Sequence, residues 1–205
     1  MKHGALFSLL AFCLSSSIRT AAPQTTTPTQ TAVASVPKQP KWTQADRKRL
    51  LAKAHSGDSG SQMWLGAAYE QGWFGKANFH EALKWFRKAA AQGDPDAQNA
   101  LGQMYQDGEG VKQGYAEAAK WFRLAAEHIQ DLGGAGQGRN NLGLLYLRGD
   151  GVPKDYVQAY MWFKLTAHET NLPDAKAQMT PAQIVEAEQM AAEWKRSHPE
   201  LTDSR

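Results

Sequence analysis

Three copies of one block constrain this chain more than any other feature of its sequence. Leu101, Gly102 and Tyr105 recur thirty-six residues earlier as Leu65, Gly66 and Tyr69, and forty-one residues later as Leu142, Gly143 and Tyr146. The same offsets carry Ala118, Trp121 and Phe122 back to Ala82, Trp85 and Phe86 and forward to Ala159, Trp162 and Phe163. A unit of this length cannot bury its apolar face alone, so copies stack into an array with a shared core. The expected fold is all-α: a solenoid of helix-turn-helix repeats over about residues 57–92, 93–128 and 134–169.

Each unit reads as helix A, a tight loop and helix B. In the central copy Asp94 suits an N-cap and Pro95 the first helical position. Ala97, Leu101 and Tyr105 fall on one helical face, and Gly102 permits close approach of a neighbour. Gly108 suits a left-handed stop, with Gly110 two residues on, and Gly149 and Gly151 repeat the pair. Asn78 with Glu81, and Asp155 with Gln158, have capping-box spacing at the start of helix B. Tyr115, Ala118, Ala119, Phe122, Ala125 and Ala126 give helix B a wide buried face. The first copy replaces the Gly-x-Gly-Val loop with Gly72-Trp73-Phe74-Gly75, whose aromatics read either as loop packing or as a contact patch.

The ends deviate as terminal repeats should. Thr43–Ser56 reads as an unpaired helix B that stands in for a missing first half. Five extra residues precede the third copy, and Gly133–Gly138 there reads as a flexible insertion; neither dinucleotide nor Walker spacing is present. The register breaks at Asn171-Leu172-Pro173. Thr180, Pro181 and Gln183 then match N-cap, N1 and N3 of a helix over 180–197. Its apolar stripe, Ile184, Ala187, Ala191 and Trp194, suits a C-terminal cap or an amphipathic partner-binding helix.

Ahead of the repeat domain, 43–200, lie two segments of other character. The apolar run Ala5–Leu14 is too short to span a bilayer and suits a secretory signal over residues 1–22, with Thr20-Ala21-Ala22 at the cleavage site. Residues 23–42 are rich in Thr and Pro, a composition that buries too little to fold and reads as a tether. Cys13, the only cysteine, sits in a partial lipoprotein box spoiled by Phe12, so a lipid anchor there is not expected. A periplasmic or secreted location is expected. The formal charge of +3 includes Lys2 and Arg19; without them 21 basic residues face 20 acidic ones, which does not favour nucleic acid as partner.

The pattern A-x-x-x-L-G-x-x-Y-x-x-G-x-G-V-x-x-x-Y-x-x-A-x-x-W-F-x-x-A-A, matched throughout by Ala97–Ala126, resembles the Sel-one-like repeat family, a relative of the tetratricopeptide repeat. The first copy departs at the first alanine, where Ser61 stands, and in its loop; the third departs at the first alanine, where Gly138 stands, and at the penultimate one, where Thr166 stands. The resemblance implies a right-handed superhelix with capping helices, whose A helices line a concave surface. It also implies adaptor or scaffold work in protein complexes, in exported members often in the envelope. A disulfide-rich branch carries cysteine pairs that this chain lacks, so the β-lactamase-like activity attributed to it is not implied.

No catalytic constellation stands out. His80-Glu81 and His168-Glu169 lack the second histidine of a zinc helix, and no Gly-x-Ser-x-Gly elbow occurs. No enzyme activity, metal or cofactor is expected. The expected partner is another protein or a peptide, met by A-helix positions that the repeat pattern leaves over: Trp64 and Ala67, Asn99 and Gln103, then Asn140, Leu144 and Arg148. Trp64 reads either as a binding anchor or as packing against the N-terminal helix. Two alternatives stay open: a periplasmic regulator restraining a membrane sensor, and a cell-envelope (peptidoglycan or β-lactam) hydrolase.

Overall fold

The computed structural model describes residues 43–128, 133–166 and 170–198. The leader, the tether, Cys13 and His168 lie outside them. The described residues form helices α1 (Gln44–His55), α2 (Ser59–Glu70), α3 (Phe79–Ala90), α4 (Pro95–Asp107), α5 (Tyr115–Ala126), α6 (Gly134–Arg148), α7 (Tyr156–Lys164), α8 (Leu172–Lys176) and α9 (Pro181–Ser197). No strand occurs among them. The A helices are α2, α4 and α6; the B helices are α3, α5 and α7.

Local chemistry sets the helix ends. The Asp58, Asp94 and Asp155 carboxylates accept the backbone N–H groups of Ser61, Ala97 and Gln158 at 2.7, 2.9 and 3.0 Å. Full capping boxes form at Thr43 with Asp46 and at Thr180 with Gln183. Asn78 accepts from the Glu81 N–H, which is half of the expected box. Gly108 and Gly149 end α4 and α6 with φ of 75° and 81°.

Within each pair, a glycine of helix A receives a phenylalanine of helix B. A Cβ on Gly66 would come within 2.6 Å of the Phe86 ring, and one on Gly143 within 2.5 Å of Phe163; Gly102 meets Phe122 in the same way. The three rings are at most 1% exposed. The Leu-Gly and Trp-Phe cores of the repeat are thus two halves of one interdigitated contact.

Between repeats, three further contacts recur. The side-chain amides of Gln62 and Gln98 donate to the carbonyls of Ala54 and Ala90, and Arg139, at the equivalent position, donates to that of Ala126. Because α1 supplies the first of these carbonyls, it occupies the place of a helix B, as its sequence suggests. Arg87 and Arg123 each donate to the tyrosine hydroxyl of the next helix A, Tyr105 at 3.1 Å and Tyr146 at 2.8 Å. Gly110 and Gly151, both left-handed, press against the backbone at Phe79 and Tyr115, where any side chain would collide. The first repeat has Phe74 in place of this glycine. Its ring packs edge-on to Tyr69 and lies 4.7 Å from the Arg47 guanidinium, so it fills space beside α1.

Two expectations are corrected. Gly133–Gly138 is not a flexible insertion: Gly134–Arg148 is one continuous helix, α6. Gly133 and Gly134 lie against the start of α4, where Asp96 accepts the Gly134 N–H, and a Cβ on Gly138 would meet that of Ala125 at 2.7 Å. The glycines therefore serve close helix approach. Tyr115 does not join the buried face of helix B; it is 37% exposed.

After α7 the chain forms α8 and returns as α9. Ala187 and Ala191 of α9 are buried against α7, so α9 covers the open end of the array.

Candidate binding surface

The structure sorts the nominated A-helix residues into open and occupied. Trp64 is 40% exposed, and its ring pairs with Trp73 of the following loop at 6.2 Å and 31°. Ala67 is half-buried against the cluster that contains Leu101 and Met104, and Gln103 is half-buried on α4. Arg148 is exposed at the end of α6. Trp64, Ala67 and Gln103 belong to the first two repeats, and the loop aromatic Trp73 joins them.

Three nominees are corrected. Asn99 is 2% exposed: its amide donates to Gln137 at 2.9 Å and its carbonyl accepts from Asn141 at 2.9 Å, which ties α4 to α6. A buried amide needs such partners, and they leave it nothing to offer a ligand. The Asn140 carbonyl accepts from Asn171 at 2.7 Å, and Leu144 packs into the cluster shared with Leu172 and Met179. The segment around α8 therefore occupies the A-helix surface of the third repeat. Repeat register also shows that Met63, not Trp64, is the equivalent of Asn99; Met63 is half-buried beside Trp64 and was absent from the nominees.

The surface has an acidic rim. Burial pushes the Glu70 carboxyl, at the end of α2, above its ordinary range; a hydrogen bond from Gln71 opposes this, and the nearby charges of Glu109 and Asp107 reinforce it. Glu109 is raised too, by burial and then by Asp107. Asp94 is likewise raised, chiefly by burial, although its cap bond to Ala97 pulls the other way.

Among the described residues, no group of three or more His, Cys, Asp or Glu is placed to hold a metal ion. No described helix is long and apolar enough to cross a membrane. The arrangement offers an apolar, aromatic shelf beside fixed negative charge, a surface suited to holding a polypeptide.

The Sel1 repeat model matches residues 59–94, 95–128 and 137–171. Among solved structures, the chain is similar to c5321 of uropathogenic Escherichia coli, described as a protective antigen with an SLR fold. The two share 34% identity at a TM-score of 0.56, over 76% of this chain and 33% of that one. The chain thus spans about a third of the length of that relative. It is also similar to a Sel1 repeat protein from Oxalobacter formigenes, at 32% identity and TM-score 0.51, over 73% of this chain and 98% of that one. No curated protein matches it. The fold of these relatives is commonly a scaffold for protein–protein interaction and generally non-catalytic. With three matched copies and relatives above 30% identity, the chain belongs to the Sel1 repeat family.

Proposed function

We propose that this chain is an exported scaffold, periplasmic or secreted, that holds a protein partner on the A-helix surface of its first two repeats. The observation that carries this reading is the Trp64–Trp73 pair. A tryptophan 40% exposed, on a helix whose other large apolar residues are buried or half-buried, is unexplained by the fold, and tryptophan is enriched at binding hot spots. Closure of the third repeat by α8 narrows the usable surface to Met63, Trp64, Ala67, Trp73 and Gln103. The rim of Glu70, Asp107 and Glu109 favours a partner segment that brings Lys or Arg beside its apolar anchor. Export is supported by the apolar run Ala5–Leu14 and the small residues near Ala22.

The test is crosslinking in cells followed by recovery of the tagged chain from the envelope fraction. One protein recovered with the wild type and lost with Trp64→Ala plus Gln103→Ala supports the reading. Recovery unaffected by that pair overturns the assignment of the surface. A chain found in the cytoplasm with its N-terminal residues intact overturns export.

A further inference from the structure

The near-neutral total charge conceals a segregation. Residues 1–56 hold eight Lys or Arg against one acid, Asp46, whereas residues 57–205 hold fifteen against nineteen. The excess continues into the folded part. On α1, Leu50 and Ala54 are buried and Lys48, Arg49 and Lys53 are exposed on the other side. On α3 the exposed charges are Lys84, Arg87 and Lys88. Asp46 and Glu81, the acids of these two helices, both sit at the third helical position, where they complement the helix N-terminus. Beyond the first turn, the exposed charges of each helix are cationic, with Lys84 paired to Glu81 at 3.6 Å and Arg87 bonded to the Tyr105 hydroxyl.

Trp85 joins the two helices. Trp85 of α3 packs on Leu50 and Ala54 of α1 and meets His55 edge-on at 5.1 Å. Lys88 and Lys84 lie over the same indole, 4.3 and 5.9 Å from its centroid. The first two A helices have the opposite sign: α2 and α4 with their caps carry Asp58, Glu70, Asp94, Asp96 and Asp107 and no Lys or Arg, whereas α6 carries Arg139 and Arg148 and no acid.

We propose that the outward face of α1 and α3 docks on an anionic phospholipid surface. The cations stand on long exposed side chains spread over two helices, which suits a diffuse layer of phosphate charge better than a fixed pattern of carboxylates. The tether that leads into α1 adds Lys38 and Lys41 and contains no acid. This docking rests on the export proposed above: the apolar run Ala5–Leu14 lies about thirty residues upstream, and an exported chain meets a bilayer at this end. Docked in this way, the protein leaves its first two, acidic A helices free for a partner.

The test uses the chain without its leader, residues 23–205, with vesicles of phosphatidylcholine alone and of phosphatidylcholine with phosphatidylglycerol, separated by sedimentation. Binding is expected on the anionic vesicles only, and is expected to fall steeply between about 0.1 M and about 0.5 M salt. Lys48→Gln, Arg49→Gln and Lys53→Gln together should weaken it on the order of 100-fold, at about fivefold per cation. Lys176→Gln, Lys195→Gln and Arg196→Gln, which remove as many charges from α8 and α9, should change it by no more than about threefold. Circular dichroism of both variants should match the wild type, since all six sites are exposed. Equal binding to both vesicle types, or an α1 variant that binds as well as the wild type, overturns the proposal. Binding to duplex DNA or to polyglutamate that is tighter than to the anionic vesicles, at equal charge and salt, also overturns it, in favour of a nucleic acid or an acidic protein.

Discussion

The guanidinium of Arg139 lies over the indole of Trp194, 4.8 Å from the ring centroid. Arg139 is fully buried, and it also donates to the carbonyls of Ala126, His128 and Leu165. One side chain therefore joins the ends of α5 and α7 to the capping helix α9. The indole is held further by Trp162 edge-on at 6.4 Å and by His198 stacked at 4.1 Å. In the first two repeats the same position is Gln62 and Gln98, and the Gln98 carbonyl oxygen is buried without a partner among the described residues. Arginine has only donors, which suits a site lined by three carbonyls.

Arg139→Ala should cost about 3 kcal/mol, because it strands buried carbonyls and empties the space under Trp194. Arg139→Gln, which restores the residue of the other repeats, should recover part of that loss through the Ala126 bond. Urea midpoints measure both. Hydrogen exchange should show α9 losing protection first in Arg139→Ala; uniform loss over all helices would contradict the joining role.

Gly102→Ala should cost at least about 2 kcal/mol, since its Cβ would enter the Phe122 ring in a core with no space to yield. Adding Phe122→Leu should make the alanine less costly, so the double variant should fall short of the sum of the two single losses. Gly60→Ala is the control. Its Cβ would meet nothing nearer than Asp58 Oδ1 at 4.0 Å, so α2 should gain about 0.5–1 kcal/mol from the better helix former.

Glu70 predicts a pH dependence. Its carboxyl is raised in the folded state, so the folded chain holds the proton more tightly than the unfolded one. The associated stability is present below the ordinary glutamate range and is lost as pH rises through the raised folded value. At neutral pH the buried charge beside Glu109 and Asp107 is therefore a liability. Glu70→Gln should raise the urea midpoint at pH 7, and the gain should vanish near about pH 4, where the wild-type carboxyl is already protonated. A gain that is equal at both pH values would remove the charge from the explanation.

The array was legible because its signals are local and periodic. The spacing of Gly102 and Phe122, the capping aspartates and the Thr180-Pro181-Gln183 start of α9 each needed only a few residues of context. What escaped depended on contacts between repeats. Gly133–Gly138 reads as a loop by propensity, yet its glycines allow α6 to reach the start of α4. Asn99 reads as spare because the repeat pattern leaves it over, whereas its partners Gln137 and Asn141 lie on the next helix A. Asn140 and Leu144 are covered by a short helix for which the sequence gives only a break in register. Arg139 stands in register with Gln62 and Gln98, but the repeat pattern leaves that position unspecified and its partners lie on or just after α5, α7 and α9.

The separation of folding from binding is testable on two tryptophans. Trp85 is 3% exposed between α1 and α3, and Trp64 is 40% exposed beside Trp73. Trp85→Ala should cost about 3–5 kcal/mol, as for any large aromatic removed from a core. Trp64→Ala forfeits only part of one ring contact and should cost no more than about 1 kcal/mol. If the A-helix surface of the first two repeats is the partner site, the smaller stability loss should accompany the larger loss of partner recovery. Chemical denaturation and crosslinking of the same two variants give both numbers. A Trp64→Ala chain as unstable as Trp85→Ala would mean that Trp64 belongs to the fold, and the surface would lose its anchor.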